Sequence, residues 1–175
     1  MSRPGLIGIH GRARSGKDTL CQFLISYHGG YRYGLADPLK AMLLAGFGID
    51  MSDPYWETRK EEVIPALGKS PRQLLQTLGT EWGRTCVRDD VWLILAQDAL
   101  VREGPGMIIP DIRFQNEADW IRKLGGRLIH ISRKSAAPVA SHSSEAGVDV
   151  QGGDIVLTND GTLEDLQQTI RDLFA

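Results

Sequence analysis

Gly11-Arg12-Ala13-Arg14-Ser15-Gly16-Lys17-Asp18-Thr19 follows directly on the apolar run Leu6-Ile7-Gly8-Ile9-His10. The run reads as a buried strand. Leu20, Phe23, Leu24 and Tyr27 then recur at helical spacing, so the helix starts near Gly16. Strand, glycine-rich loop and helix in this order make a phosphate-binding loop. Backbone N–H groups of such a loop point at an anion, and the helix N-terminus adds partial positive charge. Gly11 and Gly16 permit the close approaches that a Cβ would block. Lys17 reaches the β- and γ-phosphates as a point charge. Arg14, Ser15, Asp18 and Thr19 complete the residues expected around the nucleotide. Asp18 stands where a hydroxyl residue commonly touches Mg²⁺, so Thr19, one position later, is expected near a phosphate.

The chain has 175 residues and a net charge of −2, from 20 basic and 22 acidic side chains. That length allows one domain with a substantial core. The charge balance gives no reason to expect stable nucleic-acid binding, although local basic clusters can still grip small phosphates. No apolar run has the length of a membrane span. The strand begins so soon after Met1 that a signal peptide is not expected. Cys21 and Cys86 are too few for a disulfide framework or a metal cluster, and Cys21 reads as a buried free thiol. These features together give the expectation of a cytoplasmic protein.

Beyond the first helix, strand-like runs alternate with helical patterns. Tyr31–Ala36 precedes a helix opened by Asp37-Pro38. Residues 49–69 are polar and turn-rich. Ser70-Pro71 reads as an N-cap followed by Pro at the first helical position, with Leu74, Leu75 and Leu78 turned inward. A further helix follows Asp89-Asp90 and holds Trp92 in the core. Met107–Pro110, Arg127–Arg133 and Asp154–Leu157 read as strands, with a helix starting after Asp111. Residues 134–153 read as a mobile, lid-like loop. The last helix is expected to bury Leu163, Leu166, Ile170 and Leu173. This alternation predicts an α/β fold, with a mostly parallel five-stranded sheet between helices. Ligands of such sheets bind at the carboxyl ends of the strands.

Several residues are expected at that edge. Asp37 either caps its helix or orients Mg²⁺ and the acceptor, with Lys40 one turn on. Asp111 can contact Mg²⁺ through water, and Arg113 suits a phosphate oxyanion. Alternatively Asp111 caps a helix while Arg113 pairs with Glu117. Arg72, Gln73, Gln76, Thr80 and Arg84 recur at helical spacing, as a solvated face or as the lining for a base and a monophosphate. Arg133 ends a strand, with His142, Ser144 and Glu145 in the loop beyond it. Asn159 and Gly161 sit where a nucleoside base could lie, or simply form an Asn-Asp-Gly turn.

The set of segments Gly-Arg-Ala-Arg-Ser-Gly-Lys-Asp-Thr (11–19), Leu-Ala-Asp-Pro-Leu-Lys (35–40), Leu-Gly-Thr-Glu-Trp-Gly-Arg (78–84), Asp-Ile-Arg-Phe-Gln-Asn-Glu (111–117), His-Ser-Ser-Glu (142–145) and Asn-Asp-Gly-Thr (159–162) resembles the bacteriophage deoxynucleoside monophosphate kinases. The resemblance implies a three-layer nucleoside monophosphate kinase fold of the P-loop NTPase class. It implies one kinase domain, with an acceptor-binding helical insertion at about 49–88 and a short lid at about 134–153. It also implies transfer of the ATP γ-phosphoryl group to a dNMP, with Mg²⁺. Lys17 and Thr19 would then bind ATP phosphates, and Arg113 and Arg133 would neutralise the transferring group. Asp37 and Asp111 would organise Mg²⁺. Lys40, Arg72, Gln76, Thr80, Arg84 and Glu145 would serve the acceptor. Homodimerisation is compatible with the sequence. Rival expectations are another small-molecule kinase resembling dephospho-coenzyme A kinase, and an ATPase switch without an acceptor.

Overall fold

β1 (Leu6–His10) is apolar and buried from Leu6 to Ile9 because helices cover both of its faces. Ile7 and Ile9 enter a core built with Leu20 and Leu24 of α1 (Lys17–His28) and Leu166 and Ile170 of α7 (Leu163–Phe174). On the opposite face Gly8 lies under α6 (Gln115–Lys123), where any Cβ would collide with Ile121. β2 (Tyr31–Arg32), β3 (Met107–Ile112), β4 (Arg127–Ser132) and β5 (Ile155–Thr158) complete the sheet. Its order is β2-β3-β1-β4-β5, with every neighbouring pair parallel. β1 is central, and the chain goes on to strands on either side of it. The carboxyl end of β1 is therefore the switch point at which such sheets bind ligands.

This computed structural model describes residues 5–134 and 147–174. The chain forms two compact units, one of residues up to Gly34 and from Leu95 onward, the other Leu35–Ile94. The sheet and its helices belong to the first.

Some details differ from the sequence expectation. β2 covers two residues, because after the Tyr33 N–H donates to the Ile108 carbonyl (2.9 Å) the chain turns and a helix begins at Asp37. β3 runs on to Ile112, and α6 waits until Gln115. In α7, Leu166 and Ile170 are buried as expected, but Leu163 and Leu173 are exposed. A twelve-residue helix is about 18 Å long, whereas the four residues of β5 cover about 13 Å. The helix ends therefore overhang the sheet.

A polar cluster that the sequence did not announce ties α6, β4 and the segment before β5 together. Asp154 accepts two hydrogen bonds from Arg122 (3.2 and 2.7 Å), one from the Gln151 N–H (2.9 Å) and one from His130 Nε2 (3.0 Å). Burial pushes this carboxyl upward, but the Arg122, Gln151 and His130 donors outweigh it and hold the group at about 2. A depressed carboxyl pKa stabilises the fold above the unfolded value near 3.9, and that contribution disappears as pH falls toward 2. Asp154→Asn is therefore expected to cost about 2 kcal/mol at pH 7. Urea titrations of the two proteins should converge between pH 4 and pH 2, and a difference independent of pH would contradict this.

The second unit is helical. α2 (Asp37–Phe47), α3 (Pro54–Thr58) and α4 (Pro71–Gln76) surround a small core of Leu43, Ile49 and Met51, against which Trp56, Leu74, Leu75 and Leu78 pack. Ser70 caps α4 as expected. Its hydroxyl accepts the Gln73 N–H while the Gln73 side chain accepts the Ser70 N–H, a complete capping box. The four-residue polar spacing predicts an α-helix through Arg84, but Thr77–Val87 is π-helical. Trp92, buried near the start of α5 (Val91–Glu103), accounts for the difference. Its indole Nε1 donates to the Gly79 carbonyl (2.8 Å), and its ring occupies the place a Cβ on Gly83 would take. No helix among the described residues is long and apolar enough to cross a membrane.

Candidate active site

The loop between β1 and α1 is held in a shape that few residues tolerate. Arg14 has φ 63° and is the one non-glycine residue with positive φ among those described, while Gly16 has φ 104° and caps α1. A Cβ on Gly11 would meet the Ile131 carbonyl, and one on Gly16 would meet the Asn159 amide. The Lys17 ammonium lies across the loop, donating to the Gly11 and Arg12 carbonyls at 2.7 Å each. Ser15 is fully buried, and its hydroxyl has no hydrogen-bond partner among the described residues. A left-handed turn, an ammonium across its mouth and an orphaned hydroxyl fit a phosphate group.

Asn159 is buried, and its amide donates to the Ser15 carbonyl (2.9 Å), while its backbone N–H donates to Ser132 (2.8 Å). Its side chain thus braces the phosphate loop from behind. Gly161 sits tight against Asp165, whose carboxylate accepts the Thr162 N–H (2.8 Å) and caps α7.

Asp111 and Arg113 flank Ile112 at the end of β3, the strand beside β1. Cys21 senses the local charge. Burial pushes its thiol up to about 11, Arg32 opposes that, and Asp18 and Asp111 add to it. Cys21 therefore stays protonated, and two carboxylates lie within electrostatic range of the start of α1. Glu117 holds backbone as well. Its buried carboxylate accepts the backbone N–H groups of Arg113 (2.7 Å) and Phe114 (3.0 Å). Arg133 follows β4 and is exposed. Next to it, the Lys134 N–H and ammonium, with the Arg133 charge, hold the Asp160 carboxyl below its ordinary value.

Thus Gly11–Thr19, Asp111, Arg113, Arg133 and Asn159 all lie in the first unit, at or just beyond the carboxyl ends of β1, β3, β4 and β5. Asp37, Lys40, Arg72, Gln76, Thr80 and Arg84 lie in the second. There Lys40 donates to Asp37 (3.1 Å), and Arg72 pairs with Glu61. Gln76 ends α4, and Thr80 stands in the π-helical segment, its carbonyl accepting the Thr85 hydroxyl (3.2 Å). Arg84 is buried and donates to the Asp89 carbonyl at 2.6 Å. Glu145, His142 and Ser144 lie outside the described residues. Sequence reasoning missed His10, Glu117 and Trp92 as organising residues. Pro110, which cannot sustain a regular strand ladder, was the available signal for the first two.

The profile of the deoxynucleotide monophosphate kinases matches residues 5–64 and 68–170. A protein of Acanthamoeba polyphaga mimivirus, provisionally named as such a kinase, is 33% identical, over 94% of this chain and 93% of its own. The deoxynucleotide monophosphate kinase of Enterobacteria phage T4 is 28% identical, over 95% of this chain and 97% of its own. Among solved structures, protein TT1252 of Thermus thermophilus superposes with a TM-score of 0.54 at 21% identity, covering 99% of this chain and 97% of its own. That last likeness concerns the fold.

Proposed function

The chain belongs to the deoxynucleotide monophosphate kinase family, and from that premise we propose that it transfers the γ-phosphoryl group of ATP to a deoxynucleoside monophosphate, giving ADP and the diphosphate. The phosphate loop carries this reading, above all the Lys17 ammonium held 2.7 Å from two loop carbonyls. Such a reaction would serve the supply of DNA precursors, a role the viral and phage source of the relatives supports.

Phosphoryl transfer asks mainly for positioning and neutralisation of charge. The acceptor is itself a phosphate and largely ionised at neutral pH, so no strong base is required. Lys17 and the N-terminus of α1 hold the donor phosphates, with Thr19 the third residue of the helix. Arg113 and Arg133, both exposed at strand ends, face the charge that spreads over the transferring group. Mg²⁺, when bound, neutralises the phosphate oxygens. Its ligands in kinases are mostly phosphates and waters, with one or two carboxylates, a part that Asp111 or Asp37 would serve. Arg72, Gln76, Thr80 and Arg84, with Lys40, form the acceptor side.

Asn159 contributes to donor binding through the loop it braces. Asn159→Ala is expected to raise KM for ATP about tenfold, the worth of one buried hydrogen bond, and to leave KM for the acceptor unchanged. Steady-state kinetics with each substrate varied in turn would show this, and equal effects on both constants would contradict it.

The reaction itself is tested by coupled ADP release with Mg·ATP and dAMP, dGMP, dCMP, dTMP or the ribonucleotides offered separately. ADP release that requires one or more dNMPs is the expected result. ADP release indifferent to every acceptor would overturn the proposal.

A further inference from the structure

β1 and β3 pair in step as Leu6 with Met107, Ile7 with Ile108 and Gly8 with Ile109, but His10 then pairs with Ile112. One residue of β1, Ile9, thus stands opposite two of β3, and the extra one falls at Pro110-Asp111. Proline has no N–H for the ladder, so the irregularity sits where the sequence demands it. Such bulges re-aim the side chains that follow, and here those belong to Asp111 and Arg113.

What fixes the new aim is visible on one peptide unit. The Ile112 carbonyl accepts a hydrogen bond from His10 Nδ1 at 2.9 Å. A carbonyl only accepts, so Nδ1 carries the proton. The other end of the same peptide, the Arg113 N–H, donates to the buried Glu117 carboxylate at 2.7 Å. The His10 ring is steadied in turn by His130, which meets it edge-on with centroids 5.4 Å apart. We propose that His10 and Glu117 are positioning residues: they clamp the Ile112–Arg113 peptide from both ends and so set the direction from which Arg113 meets the transferring phosphoryl group. This rests on the catalytic role given to Arg113 above.

His10→Leu removes the donor, and His10→Asn returns an amide N–H at about the same distance from the backbone as Nδ1. The expected result is a kcat about tenfold lower for His10→Leu, with KM for both substrates within about twofold, and recovery of most of that loss in His10→Asn. In an Arg113→Ala background His10→Leu should cost nothing further, because the residue it aims is gone. A residue with only a structural role would lower the melting temperature and multiply its effect with that of Arg113→Ala. Multiplicative effects, or no recovery in His10→Asn, would overturn the clamp. If Arg113→Ala itself left kcat unchanged, the catalytic role of Arg113 would fall, and the clamp with it.

Discussion

Lys17→Ala is expected to lower kcat/KM for ATP about 1,000-fold while leaving the fold intact. The lysine opens α1, and its stem runs along the loop so that the ammonium is already at the loop mouth, 2.7 Å from the Gly11 and Arg12 carbonyls. Little reorganisation is needed before it can meet a phosphate oxygen, and preorganised charge of this kind is the largest single source of rate in such sites. The alanine loses both the ground-state contact with the β- and γ-phosphates and the stronger one formed as charge develops. Lys17→Arg should not restore activity, because a planar fork does not fit the place of a compact ammonium. Unfolding should shift by no more than about 1 kcal/mol, the worth of hydrogen bonds to half-exposed groups. A loss of tenfold or less in kcat/KM, at unchanged stability, would show that Lys17 is not at the donor phosphates.

Arg113→Ala is expected to show the complementary pattern, with kcat about 100-fold lower and KM for each substrate within about threefold. Arg113 is exposed, so its removal leaves no cavity, and its backbone remains held by Glu117. An interaction made mainly in the transition state lowers kcat and kcat/KM together. Arg113→Lys should recover only part of the loss, since a point charge cannot span two phosphate oxygens as a guanidinium does. A change confined to KM would mean that Arg113 binds substrate and does not act on the transferring group.

The phosphate loop was legible because its information is local. An apolar strand, two glycines and a lysine at fixed spacing dictate one arrangement, and Arg14 at φ 63° is the only feature of it that the residues do not announce. The five parallel strands were legible from alternating apolar runs, and Trp92 and Cys21 from their place among them. The polar stripe from Arg72 to Arg84 was legible as a stripe but not as a π-helix. That register depends on Trp92, nine residues beyond Gly83 and thirteen beyond Gly79, finding both glycines. The same holds for Asn159. Asn-Asp-Gly advertises a turn, whereas the hydrogen bond to Ser15 spans 144 residues and exists only once β5 has paired with β4. The clamp on Arg113 joins His10, Ile112 and Glu117 across a strand boundary displaced by Pro110. Periodicity carries no record of such contacts, because they follow from how one irregularity shifts the ladder.

In the proposed reaction the γ-phosphoryl group goes to the phosphate of a dNMP. This is tested most directly by a single turnover with γ-labelled ATP and excess dNMP, separating the labelled products. The label is expected in the deoxynucleoside diphosphate, in equal amount to the ADP formed. Label appearing as inorganic phosphate at the same rate with and without the acceptor would contradict it.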